Sequence, residues 1–350
     1  MRLLSAAEAI TPSIERTKAI LFEPFRKGRT WKISATAYLG RASTIFLPLP
    51  LFYLFFLPAV RRAGGAAVAG ALAIGLLLLT LFGVWLFHLC TRLSFAFFDI
   101  VLYRGEFVAP AWRKYGPQSR KWTAFKVLLG TVISAVFAAP IVAYFVSMFS
   151  MLSSIKPGQP PPPQFMATIF AAYFFFYFGL GMFYFISSLL GDFILPSLAL
   201  ENTTIAEAFR RFFELIRRES GHVALYFLLK FVLGIGFYMA AFIAFEIIVI
   251  FVTLILALVF GIIGFLLHLI GLPTAVLIGL AIFIGILWYL FIGFYGAILV
   301  LGGVLTFFEA YNLYFLGGRY PILGDLLEPP FPGTIMPPPF EFQPPPPPAY

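Results

Sequence analysis

The residues best suited to chemistry in this chain are scattered rather than grouped. His88, His222 and His268 are its three histidines and Cys90 its one cysteine, and none stands at metal-ligand spacing from another His, Cys or acid. The HExxH run of zinc metalloproteases, two histidines one helical turn apart, does not occur. There is no phosphate-cradling loop and no dinucleotide fingerprint. The glycine pairs Gly179-Leu180-Gly181 and Gly234-Ile235-Gly236 suit close helix packing instead. His268, in an uncharged stretch, reads as an interfacial side chain. These residues imply no catalytic constellation, no metal and no cofactor.

Charges inside apolar stretches are the next candidates, because each needs a depth and a partner. Glu246 lies 24 residues past His222, which is about 36 Å along a helix and reaches the outer headgroups. Glu309 is followed by Tyr311, Asn312 and Tyr314, the signature of an interfacial aromatic belt. Arg41 and Lys230 sit near the ends of apolar runs and can snorkel to the surface. Asp99 and Asp192 stand apart. Each falls near the C-terminal end of an expected crossing, where the helix dipole disfavours an anion. The nearest cations in sequence are Arg92, Arg104, Arg210 and Arg211, and the expectation is that each Asp takes one and pins a short helix against the bundle.

The elements that must position these residues follow from composition. Of 350 residues 61% are hydrophobic and 11% charged, with a mean hydropathy of +0.96, whereas a soluble domain carries about 25% charged residues. Residues 63–91 and 127–155 lack Asp, Glu, Lys and Arg for 29 positions each, and 247–308 lack them for 62. A bilayer crossing needs about 20. The fold class expected is all-α, a polytopic transmembrane helical bundle with amphipathic interfacial helices on the cytoplasmic side. Crossings are expected at about 42–60 (with Pro48 and Pro50), 66–98, 125–152 and 164–196, followed by two long ones from His222 to Leu316 that turn at Gly271-Leu272-Pro273. That makes six; kinks, tilt or a re-entrant piece near 255–275 must absorb the excess length, or the count is eight. The organisation expected is 1–32 as a cytoplasmic segment with an amphipathic helix, 33–318 as the bundle, and 319–350 as a proline-rich cytoplasmic tail. Residues 321–350 hold 12 of the 27 prolines, a composition for extended solvated chain, although Pro347-Pro348-Ala349-Tyr350 also has the form of a WW-domain ligand. No secretory leader is legible before residue 32.

Formal charge is +9, and 21 of the 24 Lys and Arg fall in the N-terminal segment and alternate loops. The positive-inside rule then places both termini in the cytoplasm of a multi-pass plasma (bacterial inner) membrane protein. The charge is an orientation signal rather than a nucleic-acid surface.

The stretch ENTTIAEAFRRFFELIRRES (201–220) is strongly amphipathic. On a helix, Ile205, Ala208, Phe209, Phe212, Phe213, Leu215 and Ile216 share one side. Glu207, Arg210, Arg211, Glu214, Arg217 and Arg218 fill the other. Thr204 and Glu207 have the spacing of a capping box, and a piece of about 22 Å is too short to cross. It should lie in the interface as a membrane-hugging linker. A similar unit follows Asp99: Ala109-Pro110-Ala111-Trp112-Arg113 matches Ala206-Glu207-Ala208-Phe209-Arg210, which places interfacial helices near 108–116 and 204–219. A looser third copy is ITPSIERTKAILFEPFRK, with Thr11 and Pro12 at its start.

The segments SIERTKAILFEPFRKGRTWKI (13–33), RLSFAFFDIVLYRGEFVAPAWRKYGPQSRKW (92–122) and DFILP…AFRRF resemble an uncharacterised bacterial family of six-helix membrane proteins. That family is related in plan to the membrane domain of some glycerophosphodiester phosphodiesterases. In those fusions a separate soluble barrel carries the chemistry, so the resemblance implies a membrane module with no assigned activity.

Three functions are then weighed. The first is a non-enzymatic, lipid-associated scaffold or accessory membrane subunit, with Asp99, Asp192, Trp112, Arg113, Phe209, Arg210, Arg211, Arg217 and Arg218 as structural or lipid-contact residues. Its partners would be anionic headgroups on the cytoplasmic face, with a protein partner or a homo-oligomer also open. The second is a transporter or lipid-translocating protein, which needs a polar route; the crossings offer few polar residues beyond Ser, Thr and Gly. The third is a lipid-modifying enzyme, which lacks a constellation.

Overall fold

A computed structural model describes residues 2–23, 25–43, 57–105, 107–154 and 163–327. Most of the expected first crossing, the proline-rich break after Lys156 and the tail beyond Leu327 lie outside the described residues. Of those described, 91% are helical and none is in a strand. The helices are α1 (Ile10–Phe22), α2 (Lys27–Ala42), α3 (Leu57–Tyr103), α4 (Val108–Lys114), α5 (Gly116–Ser154), α6 (Pro163–Glu201), α7 (Ile205–Leu269), α8 (Thr274–Gly317) and α9 (Pro321–Leu327). Four stretches are long and apolar enough to cross a membrane: Gly65–Tyr103, Gln164–Glu201, Ile205–Leu269 and Thr274–Gly317.

Packing is concentrated at one end, here called the base. It gathers Phe95 to Leu102 of α3, Tyr115, Trp122, Ile194 of α6, Phe212 and Tyr226 of α7, and Tyr311 to Leu316 of α8. Aromatic rings fill it: Tyr226 stacks on Phe315 at 4.4 Å and on Tyr311 at 5.2 Å, and meets Phe193 edge-on at 5.7 Å. Away from the base the helices present bare apolar faces, among them Phe231, Phe251, Leu258, Phe283 and Tyr289. Such surface is stable in hydrocarbon and not in water.

Local chemistry explains the element boundaries. α3 stops in a left-handed Arg104 (φ 52°), with the Gly105 amide bonded back to the Ile100 carbonyl at 3.0 Å. Arg16 of α1, 3% exposed, adds its Nε to the Val101 carbonyl at 2.7 Å and also reaches Leu102. α7 ends in the same way at Gly271 (φ 95°), whose positive φ suits only glycine at low cost. Pro273 then opens α8. The expected turn is therefore present, as the one break between α7, which ends at Leu269, and α8, which begins at Thr274. From Ser220 to Leu269 α7 runs without interruption, about 75 Å for 50 residues, and α8 is one helix of 44. Neither stretch contains an internal proline, and an apolar medium offers no solvent to replace a broken backbone hydrogen bond.

The amphipathic 205–219 piece is the first leg of α7, separated from the rest by non-helical Glu219 (φ −132°, ψ 41°). Thr204 caps it, accepting from the Glu207 amide at 3.3 Å. Glu207 does not return the bond; its carboxylate takes Arg210 and Arg211 instead. At the N-terminus the cap is likewise displaced. Ser5 and Glu8 form a reciprocal box at 2.8 and 3.2 Å, so the chain is already turning when it reaches Thr11, which falls inside α1. The Ser5 bonds hold the Glu8 carboxyl below its ordinary range. The expected tail begins with helix α9, whose Leu323 and Leu327 are buried one turn apart.

Helix α2 is wedged between α3 and α8 by small residues. A Cβ on Gly40 would stand 3.1 Å from the Ser94 amide, and one on Gly302 would stand 2.6 Å from the Ser34 Cα. Close approach of this kind is how helices associate where no hydrophobic force separates lipid from protein. Gly302→Val should therefore lose about 1–3 kcal/mol of stability, read as a lower thermal midpoint of the detergent-solubilised protein. Gly279→Val, at a position with nothing within 4 Å, should not.

Candidate functional site

Where α2, α3, α5, α6, α7 and α8 converge above the base they enclose a cavity of about 810 Å³. Five charged side chains line it, one from each of five helices: Arg41 (α2), Lys126 (α5), Asp192 (α6), Lys230 (α7) and Glu309 (α8). Their depths agree. Asp192 lies nine residues before the end of α6 and Glu309 eight before the end of α8; Lys230 lies 11 past the Glu219 kink and Lys126 ten past the start of α5. At 1.5 Å per residue all four stand about 12–16 Å inside their helices. Ties at the base hold three of those ends together: Arg319 meets Glu219 at 2.8 Å, and the Tyr320 hydroxyl donates to Glu201. Burial and that bond to a carboxylate push the Tyr320 phenol up.

Asp192 is bonded from two other helices. Its carboxylate pairs with Lys230, with side-chain exposures of 5% and 13%. The Tyr226 hydroxyl reaches the same oxygen at 3.3 Å, and Asn312 Nδ2 donates to the Asp192 carbonyl at 2.8 Å. Arg41 donates to Ser188 Oγ at 2.9 Å and to the Tyr184 hydroxyl at 3.1 Å, both on α6. Lys126 donates to the Ser43 carbonyl at 2.9 Å, so an ammonium covers the C-terminal end of α2 where carbonyls are unsatisfied. Ser43 and Ser94 share a bond at 2.7 Å beside it. Glu309 has no hydrogen bond or ion pair among the described residues.

The cavity wall is amphiphilic. Phe185, Leu228, Phe231 and Ile235 line it, and each is 49% or more exposed. An apolar group could thus pass from outside along α6 and α7 while a charged group rests among the five ionisable side chains.

The Asp partners differ from those expected by proximity in sequence. Asp99 takes Lys114 at 2.8 Å and the Tyr115 hydroxyl at 2.5 Å, which ties α3 to α4, while Arg92 instead donates to the Trp112 carbonyl at 2.8 Å and lies 4.6 Å over its ring. Burial, with the Asp99 carboxylate second, raises the Tyr115 phenol. Asp192 takes Lys230 rather than Arg210 or Arg211, so it joins α6 to the long leg of α7. The short leg is held by Glu201, which receives Arg211 at 2.6 Å, and by Phe209, edge-on to Phe125 at 5.5 Å. Arg113, Arg210, Arg217 and Arg218 are exposed at the base.

Lys230 and Arg41 therefore bond to α6 inside the bundle rather than snorkelling, and Glu309 lines the same cavity. Lys126 was not singled out by sequence. The only signal was that each ends an uncharged run, as Lys126 and Glu309 do. The histidines stay apart: His88 meets Thr123 at 3.0 Å, and no group of three or more His, Cys, Asp or Glu able to hold a metal occurs among the described residues.

Removing one partner of a buried pair strands the other charge. Asp192→Asn should cost about 3–5 kcal/mol, and Asp192→Asn with Lys230→Met should recover most of it. Thermal unfolding of both variants in one detergent checks this.

No curated protein and no solved structure matches the chain. The model of a family of unknown function, DUF7544, matches residues 4–326. An uncharacterised family was expected, and the chain belongs to DUF7544.

Proposed function

We propose that this protein is a non-enzymatic, multi-pass lipid-binding membrane protein whose cavity receives the phosphate-bearing headgroup of a membrane lipid. The observation that carries the reading is the combination in one space of the cations Arg41 and Lys126 with a wall of exposed apolar side chains. Arg41 and Lys126 offer donors of the kind that phosphate recognition uses. The volume is in the range of small-molecule sites. In this reading the base faces the cytoplasm, because it carries the N-terminal, 92–126 and 210–230 cations, and both termini lie on that side of a six-crossing protein in a bacterial plasma membrane. Exposed Arg210, Arg217 and Arg218 add attraction for anionic lipid of about 1 kcal/mol each. A kinship in plan with the membrane domain of glycerophosphodiester phosphodiesterases fits the alternation of short base helices with long ones and is part of the proposal.

A second reading, lipid translocation, is favoured by one observation: the charged cavity is lined by α6, α7 and α8, each with a stretch long and apolar enough to cross a membrane. It differs in requiring movement of bound lipid between leaflets. Extraction into native-lipid nanodiscs followed by mass spectrometry tests the main reading. Wild type should carry a phospholipid enriched over the bulk membrane, and Lys126→Met should lower that enrichment about tenfold, the loss of one charge-assisted bond. Bulk lipid composition in both would overturn it.

A further inference from the structure

The charges of the cavity are not those of a simple anion site. Asp192 and Lys230 neutralise each other. The C-terminal end of α2 contributes about half a negative charge, and Lys126 on the Ser43 carbonyl more than covers it. Arg41, two residues before Ser43, adds a second cation at that helix end. Glu309, from α8, brings a carboxylate to the same space with no hydrogen bond or ion pair among the described residues. A bare phosphate would answer the two cations and leave this carboxylate facing another anion. A headgroup with both signs would answer all three.

We infer that the cavity takes a phospholipid with a primary ammonium beside its phosphodiester, Arg41 and Lys126 holding the phosphate and Glu309 the ammonium. The inference rests on the lipid-binding reading and names its headgroup class. The acyl chains leave past Phe185, Leu228, Phe231 and Ile235, which line the cavity and are each 49% or more exposed. The ammonium gives Glu309 donors that carry a full positive charge, so the bond is also an ion pair, which the neutral hydroxyls of a glycerol headgroup cannot form.

The test uses the full chain in nanodiscs containing equal phosphatidylethanolamine and phosphatidylglycerol of matched acyl chains, with retained lipid quantified after detergent exchange. Wild type should retain phosphatidylethanolamine about tenfold over phosphatidylglycerol, which is ~1.4 kcal/mol. Glu309→Gln should bring the ratio to about one, and Glu309→Asp should keep most of it. Equal retention by wild type, or an unchanged ratio in Glu309→Gln, would overturn the inference and leave lipid binding standing. Retention of neither lipid above the feed would remove both. The wild-type ratio decides the matter even where Glu309→Gln does not fold.

Discussion

A charge removed from water must find its opposite, and the Asp192–Lys230 pair is where this bundle meets that requirement. The pair joins α6 to α7, and Tyr226 and Asn312 bond to the same aspartate from α7 and α8. Three helices are thereby set at one relative height. Around this point Tyr226, Tyr311, Phe193 and Phe315 stack into the core of the base. A buried ion pair adds little net stability against an apolar replacement, but here it holds α6 and α7 together at the level of the cavity that both residues line.

The second recurring device is a cation on the carbonyls that a helix leaves open at its C-terminal end. Lys126 covers the end of α2 and Arg16 the end of α3. Arg319 donates to the Phe315 carbonyl of α8 and to the Leu4 carbonyl. Each bond satisfies an acceptor that would be costly to bury and puts a positive charge at the negative end of a dipole. Part of the positive charge of this chain is therefore structural.

The short base helices make a related economy. Both α3 and α6 stop in a left-handed residue, Arg104 and Asn202, and each is followed by a short helical piece tied back by an acid at or near the end of the long helix. Asp99 holds α4 through Lys114, and Glu201 holds the first leg of α7 through Arg211. The unit is the same in plan, although the acid sits at a different position in each.

Much of the helical pattern was written in local sequence. Uncharged runs predicted long apolar helices, the Thr204 cap and the amphipathic 205–219 face predicted the short leg of α7, and Gly271-Leu272-Pro273 predicted the hairpin turn. Each depends on neighbours in the chain, which sequence displays directly. The cavity was not legible, because Arg41, Lys126, Asp192, Lys230 and Glu309 lie on five helices and their convergence depends on rotation and relative height. Taken singly, Lys230 had the features of a snorkelling residue and Glu309 those of a belt. Sequence by itself determined an all-helical chain with helices apolar enough for a membrane, since burial in hydrocarbon is a property of composition. Only tertiary structure decided which charges meet, because that is set by the close approach of α2 at Gly40 and Gly302 and by the pairing of Asp192 across helices.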